Sequence, residues 1–220
     1  HAAAYHQCRV VLDWVDAEAG ERGEALERLA QADGIVVPGG FGPRGIEGKI
    51  QTAHYARKHQ VPYLGLCLGL QVMIIDLARE ALGDSRANSS EFDPETTAPV
   101  VDLMLEQRGI QNKGGTMRLG NYPCVLVEGT RVQRAYGTLR VDERHRHRYE
   151  INNAYRQALG EAGLVWSGFS PDGLLVEVAE LRDHPWMVGS QFHPEFRTRP
   201  NAPHPLFREF IRAALDGRGA

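Results

Sequence analysis

Val61-Pro62-Tyr63-Leu64-Gly65-Leu66-Cys67-Leu68-Gly69-Leu70-Gln71 decides the reading of this chain. A short apolar run enters a Gly-X-Cys-X-Gly turn and an apolar helical stretch leaves it. That is the layout of a nucleophile elbow, with sulfur in the place of serine. Glycines on both sides let strand and helix approach closely around one strained residue. The side chain then stands at the carboxyl end of a sheet and at the positive end of a helix, where thiolate is favoured. A free cysteine is otherwise a small buried apolar residue; here the flanking glycines favour the reactive reading.

Outward from the elbow, short apolar segments alternate with longer helical ones. Arg9 to Trp14 reads as a strand. Glu21 to Gln31 reads as a helix with Leu26, Leu29 and Ala30 on its apolar face. Gly34 to Val37 is a buried strand, Ile46 to His59 a helix, Val61 to Leu66 a strand and Leu68 to Leu82 a helix. This alternation predicts an α/β fold in three layers, with a mostly parallel central sheet and helices on both faces. Ligands in such folds gather at the carboxyl ends of the strands, which puts Gly39-Gly40 and Cys67 on one rim. Ala87 to Tyr136, rich in Gly, Pro and Asn, reads as loops and short strands. Ile151 to Ala162 reads as helix; Gly163 to Phe169, Leu174 to Glu180 and Met187 to Gln191 as strands. Ser170-Pro171-Asp172-Gly173 is a hairpin turn. Pro205 to Leu215 closes as a helix with Leu206, Phe207, Phe210 and Ile211 on one face.

The 220 residues carry a formal net charge of -3, so no basic field points to nucleic acid or anionic lipid. Apolar runs are too short to span a bilayer as helices. Cys8, Cys67 and Cys124 are far apart, odd in number and without metal spacing. A reducing, cytoplasmic setting is expected.

Two motifs fail on inspection. Gly40-Phe41-Gly42-Pro43-Arg44-Gly45 matches G-x-G-x-x-G, but dinucleotide binding needs an acid roughly 20 residues on. Lys49 to Ile75 contains no Asp or Glu. Gly48-Lys49 hints at a phosphate loop, yet Pro43 replaces its first glycine and Ile50 its hydroxyl residue. The glycines are better suited to turning backbone N–H groups toward a reacting oxygen. His145 and His147 resemble metal ligands, but the arginines around them would repel a cation.

A cysteine nucleophile needs a base, and the base an orienting group. Gln191-Phe192-His193-Pro194-Glu195-Phe196 offers both. In an extended segment, residues two apart share a side, so Glu195 can hold one nitrogen of His193 while the other faces Cys67.

Val37-Pro38-Gly39-Gly40-Phe41-Gly42, Gly65-Leu66-Cys67-Leu68-Gly69-Leu70-Gln71 and Gln191-Phe192-His193-Pro194-Glu195 resemble the motifs of the class I glutamine amidotransferases, whose fold is flavodoxin-like. Four further runs narrow the resemblance to the glutaminase domains of the CTP synthase family. They are Arg44-Gly45-Ile46-Glu47-Gly48-Lys49, Ala87-Asn88-Ser89-Ser90-Glu91-Phe92, Gly114-Gly115-Thr116-Met117-Arg118-Leu119-Gly120 and Glu143-Arg144-His145-Arg146-His147-Arg148-Tyr149-Glu150.

The resemblance implies hydrolysis of L-glutamine to glutamate and ammonia through a glutamyl thioester. Cys67 would be the nucleophile, His193 the proton carrier and Glu195 its orienting group. The backbone N–H groups of Gly40 and Leu68 would form the oxyanion hole, each such donor typically contributing roughly 3–4 kcal/mol. Gly40, Leu68, Gly69, Leu70 and Gln71 would line the substrate. Glu91 would receive the ammonium of glutamine and Arg148 its carboxylate, a task suited to a planar guanidinium. No metal or cofactor is implied for this domain. Full-length relatives are expected to use ATP and Mg, with GTP as effector, to pass ammonia to a synthase (amination) domain that converts UTP to CTP, and to form a homo-tetramer. That domain's phosphate loop and magnesium carboxylates are not in this sequence.

Residues 1-220 thus read as one glutamine amidotransferase domain, lacking the first strand and helix that relatives place before the position of His1. Gln107 to Lys113 reads as a variable, mobile surface loop. Two other readings stay open: a non-catalytic or regulatory module, and a gamma-glutamyl cysteine hydrolase on the same fold.

Overall fold

The computed structural model describes residues 1–103 and 117–217. The Gln107 to Lys113 segment lies outside them. Among the described residues ten strands follow in chain order: β1 Ile35–Val37, β2 Tyr63–Leu66, β3 Asn88–Ser89, β4 Pro99–Leu103, β5 Arg118–Leu126, β6 Arg140–His147, β7 Tyr149–Ile151, β8 Leu164–Phe169, β9 Val176–Leu181 and β10 Met187–Ser190. The α-helices are α1 Ala2–Tyr5, α2 Ala17–Glu21, α3 Leu26–Ala30, α4 Ile46–His59, α5 Leu68–Ala81, α6 Arg131–Tyr136, α7 Arg156–Glu161 and α8 Pro205–Gly217.

Seven strands form one sheet in the order β1-β2-β10-β9-β8-β5-β6, and β3-β4-β7 form a second. Side chains alternate across the large sheet. Leu64, Leu66 and Val188 pack with Val132, Trp186, Leu206 and Phe210 on the α6 and α8 face. Tyr63 and Met187 pack with Ile50, Ala53, Leu70, Met73 and Ile74 on the α4 and α5 face. Two cores on one sheet make the expected three layers.

Within the large sheet, parallel pairing is confined to β1-β2 and β2-β10, the part that carries the elbow; in the second sheet β3 pairs parallel with β4 and β7 antiparallel with β4. From β10 outward every neighbour in the large sheet pairs antiparallel. The parallel share is therefore smaller than the sequence suggests. The hairpin at Ser170–Gly173, closed by the Ser170 N–H on the Leu175 carbonyl at 2.9 Å, sets β8 and β9 antiparallel as expected.

Several local expectations change. Arg9–Trp14 is not a strand: no ladder among the described residues pairs with it, and Val11, Leu12 and Trp14 stand exposed. Strand-like composition makes a strand only where a neighbour supplies hydrogen bonds. The helix expected over Glu21–Gln31 forms only as α3, Leu26–Ala30; Glu21 is the last residue of α2, and Gly23 takes φ 76 between the two. The buried residues of Glu21–Gln31 are Ala25 and Leu29, while Leu26 and Ala30 face solvent. Ala87–Tyr136 holds the nine-residue β5 as well as α6. Gly120 at φ 112 and Pro123 sit within β5 without ending it, since β6 pairs along nearly its full length. Thr130 caps α6 by accepting from the Gln133 N–H, and Gly137 ends it at φ 71. Ile151 belongs to β7 rather than to a helix, and α7 starts only at Arg156.

Candidate active site

The elbow is built as the glycine pattern requires. Cys67 takes φ 53 and ψ -98, a left-handed conformation that is strained for any residue with a Cβ. Its N–H donates to the Ser190 carbonyl at 2.7 Å, and its own carbonyl accepts from Leu70 and Gln71, starting α5. The helix can start here only because it packs directly on the sheet. A Cβ on Gly65 would lie 2.5 Å from the Gly69 carbonyl, and one on Gly69 would overlap the Val37 carbonyl oxygen.

Cys67 is only 3% exposed. Burial pushes its thiol up to about 12, opposed by hydrogen bonds from the Leu68 backbone N–H and the Gln191 side chain. The helix start therefore does not make this thiol a standing thiolate, as the sequence suggests it would. Desolvation is the largest influence on the thiol, and it favours the neutral form. Sγ faces the Arg146 carbonyl at 4.0 Å and the Gln191 Nε2 at 3.7 Å.

His193 is anchored by its N–H on the Arg144 carbonyl at 2.8 Å. Its Nδ1 meets Glu195 Oε1 at 2.6 Å. The expected pairing is present on a different backbone: Pro194–Phe196 is a 3-10 turn, not an extended strand. A carboxylate at Nδ1 holds the proton there and leaves Nε2 as the free base. That Nε2 is buried and has no hydrogen-bond partner among the described residues. A Cβ on Gly39 would lie 2.8 Å from His193 Cε1 and 3.6 Å from Cys67 Cβ. Thiol carrier and imidazole thus flank one glycine. No direct Sγ–imidazole hydrogen bond is formed, and Nε2 is the group left to make one.

Gly40 packs on Leu68: a Cβ there would meet Leu68 Cδ2 at 3.1 Å. The two residues whose N–H groups the sequence nominates for an oxyanion are therefore neighbours. Gly42 and Gly45 take φ 78 and 66. The Gly42 N–H donates to Glu91 Oε1 at 3.1 Å, which brings Glu91 to the rim of the loop. Burial raises the Glu91 carboxyl and Arg148 lowers it, so the two opposite charges face one region. Gly48 serves packing, since a Cβ there would run into the Ala17 backbone of α2. Gln71 is buried, with its amide on the Tyr149 carbonyl at 3.3 Å and on Gln191 Oε1 at 3.4 Å.

Comparison with known proteins settles the family. The family described as Glutamine amidotransferase class-I matches residues 1–213. The chain belongs to that family. A CTP synthase of Rubrobacter xylanophilus is 60% identical over 216 residues, covering 98% of this chain and 39% of that protein. One of Dehalococcoides mccartyi is 58% identical over 214 residues, covering 97% and 39%. The chain thus spans about two fifths of the length of these relatives. The glutaminase domain of Trypanosoma brucei CTPS, solved with bound acivicin, is 38% identical with a TM-score of 0.92, covering 98% of this chain and 84% of that one. Within the amidotransferases, the likeness is to the glutaminase domain of CTP synthases.

In this amidotransferase domain a buried polar cluster underlies the elbow, and the sequence reading had no place for it. Arg118 lies between Glu177 (2.9 Å) and Glu150 (3.3 Å). One guanidinium cannot satisfy two buried carboxylates. Glu177 takes contacts from both Nη atoms; burial raises its carboxyl and the Arg118 guanidinium works against that rise. Burial pushes Glu150 up to about 8, so it holds its proton near neutrality. His145 and His147 are buried and neutral, depressed by burial to about 2 and about 3. The Nδ1 of His147 meets the Tyr149 carbonyl at 3.2 Å and must donate. Its Nε2 then accepts from the Nδ1 of His145 at 2.9 Å. No group of three or more His, Cys, Asp or Glu suited to hold a metal occurs among the described residues. Among them, too, no helix is long and apolar enough to cross a membrane.

Proposed function

We propose that this chain hydrolyses L-glutamine to glutamate and ammonia, with Cys67 as nucleophile, His193 as proton carrier and Glu195 as its orienting group. The observation that supports this reading is a strained, buried thiol flanking the same glycine as an imidazole whose Nδ1 is held by a carboxylate and whose Nε2 is free.

His193 Nε2 takes the thiol proton as sulfur attacks the carboxamide carbon. The C–S bond forms, and the carbonyl π pair moves to oxygen, where the Gly40 and Leu68 N–H groups receive it. His193 then gives its proton to the leaving nitrogen, the C–N bond breaks, ammonia departs and a glutamyl thioester remains. Water attacks the thioester with His193 as base; the C–S bond breaks and glutamate leaves. Glu91 would pair with the substrate ammonium and Arg148 with its carboxylate, because desolvated charges must be matched.

The likeness to CTP synthases supports a destination for the ammonia: ATP-dependent amination of UTP to CTP by a synthase domain, with Mg bound there and GTP as effector. Glutamate release by the isolated chain, with and without Cys67→Ala, tests the hydrolytic reading. Loss of release in the variant supports it, and undiminished release refutes it.

A further inference from the structure

We propose that the Gln191 carboxamide is a catalytic hydrogen-bond donor to the Cys67 sulfur, and that Gln71 is the positioning residue that holds it in the donating orientation. The proposal rests on the glutaminase reading. Its support is a chain of contacts whose donors and acceptors are fixed by chemistry. A backbone carbonyl can only accept, so the Gln71 atom 3.3 Å from the Tyr149 carbonyl is the amide nitrogen. The second N–H of that nitrogen points to Gln191, 3.4 Å away, so the Gln191 atom there is the oxygen. That leaves the Gln191 NH2 toward Cys67 Sγ, at 3.7 Å. Gln191 is fully buried, and its own N–H is anchored on the Glu177 carbonyl at 2.8 Å.

The surroundings show why such a donor matters. From the carboxyl end of β6 the Arg146 carbonyl presents a negative dipole to Sγ. The Glu195 carboxylate acts against thiolate from the turn after β10, and Glu150 joins it from β7 once it loses its proton. Among the described residues, the groups that favour negative sulfur are the Leu68 N–H at the start of α5, the Gln191 amide and, once protonated, His193. Gln191 thus assists twice. It stabilises sulfur as the thiol loses its proton, and again as the thioester C–S bond breaks and sulfur leaves with the electron pair.

The test uses the full chain with Gln191→Met, Gln71→Met and both together. Folding is checked by thermal unfolding. Alkylation of Cys67 by iodoacetamide is read on its own peptide by mass spectrometry between pH 6 and pH 8, alongside kcat and KM for glutamine. Losing one hydrogen bond to a charged sulfur, offset in part by the higher intrinsic reactivity of a more basic thiolate, should slow alkylation by roughly three- to tenfold in Gln191→Met. The kcat should fall about tenfold or more with KM within about twofold. Gln71→Met should give a smaller change of the same sign, and the double variant no more than Gln191→Met alone, because Gln71 acts through Gln191. Mere loosening of the site would expose the sulfur and speed alkylation. Unchanged or faster alkylation in a folded Gln191→Met overturns the proposal. If that variant does not fold, slower alkylation in Gln71→Met supports it and an unchanged rate overturns it. A wild-type chain that releases no glutamate defeats the glutaminase reading instead, while the alkylation rates still decide the role of Gln191.

Discussion

Glu195 Oε1 stands 2.6 Å from His193 Nδ1 across a single intervening proline, in a 3-10 turn that follows β10. The sequence pattern suggested this contact for an extended segment. The turn achieves it by folding the chain back on itself, so that the carboxylate reaches the imidazole from beside it. The imidazole is thereby fixed in the tautomer that leaves Nε2 as base.

Glu195→Gln should therefore act on turnover rather than on folding. The amide keeps the shape but not the charge, and general acid–base assistance of this kind is typically worth about 10²-fold or more. Steady-state kinetics should show kcat falling by about that factor with KM little changed. A variant with wild-type kcat would remove Glu195 from the mechanism.

Glu91→Gln should act on substrate binding. The amide oxygen can still accept the Gly42 N–H, so the loop stays in place while the negative charge is lost. A charged hydrogen bond contributes roughly 1.5–3 kcal/mol, so KM for glutamine should rise by about one to two orders of magnitude. Burial raises the Glu91 carboxyl. In the wild type, binding should then weaken as pH falls through that raised value, and this dependence should vanish in the variant. The pH profile of KM measures both.

Gly69→Ala should damage stability before chemistry. Its Cβ would overlap the Val37 carbonyl oxygen, which is backbone and cannot swing aside. Overpacking of this kind costs typically 1–3 kcal/mol, and roughly 3 kcal/mol is expected for a clash with main chain. Chemical denaturation should show a lower midpoint with an unchanged slope. Wild-type stability would mean that α5 is less tightly seated than it stands here.

The cluster under the elbow should make stability depend on pH in two directions. Glu150, raised to about 8 when folded, titrates near 4.3 when unfolded. The folded chain alone holds that proton between these values. The stability it contributes is complete below the ordinary carboxylate range and is lost as pH rises toward 8. His145 and His147 are depressed when folded and titrate near 6.5 when unfolded, so they destabilise the fold as pH drops below about 6.5. Glu150→Gln should flatten the loss on the alkaline side and leave the acidic loss in place. Denaturation curves across pH check this, and an unchanged alkaline slope would contradict it.

Much of this was legible in the sequence because local chemistry fixes it. The glycines around Cys67 require an elbow, and β2, α4 and α5 fall within a residue or two of their expected bounds. Thr130 and Gln133 spell the start of α6 and could have been read as a capping signal. What could not be read depends on distant partners. Arg9–Trp14 has a strand's composition but no ladder among the described residues. Gln191 sits in a motif quoted for its histidine, and only the fold shows its amide against the sulfur. His145 and His147 alternate along β6 and look like ligands in sequence. Glu177, Arg118 and the Tyr149 carbonyl, brought in from other strands, give them their role as neutral, buried hydrogen-bond partners.

The covalent intermediate is the most direct test. Acid-quenching the chain during glutamine turnover and weighing the Cys67 peptide should show a fraction increased by one glutamyl group, sensitive to hydroxylamine and absent in Cys67→Ala. Glutamate release with no adduct on that peptide, or an adduct on Cys8 or Cys124 instead, would contradict nucleophilic attack by Cys67.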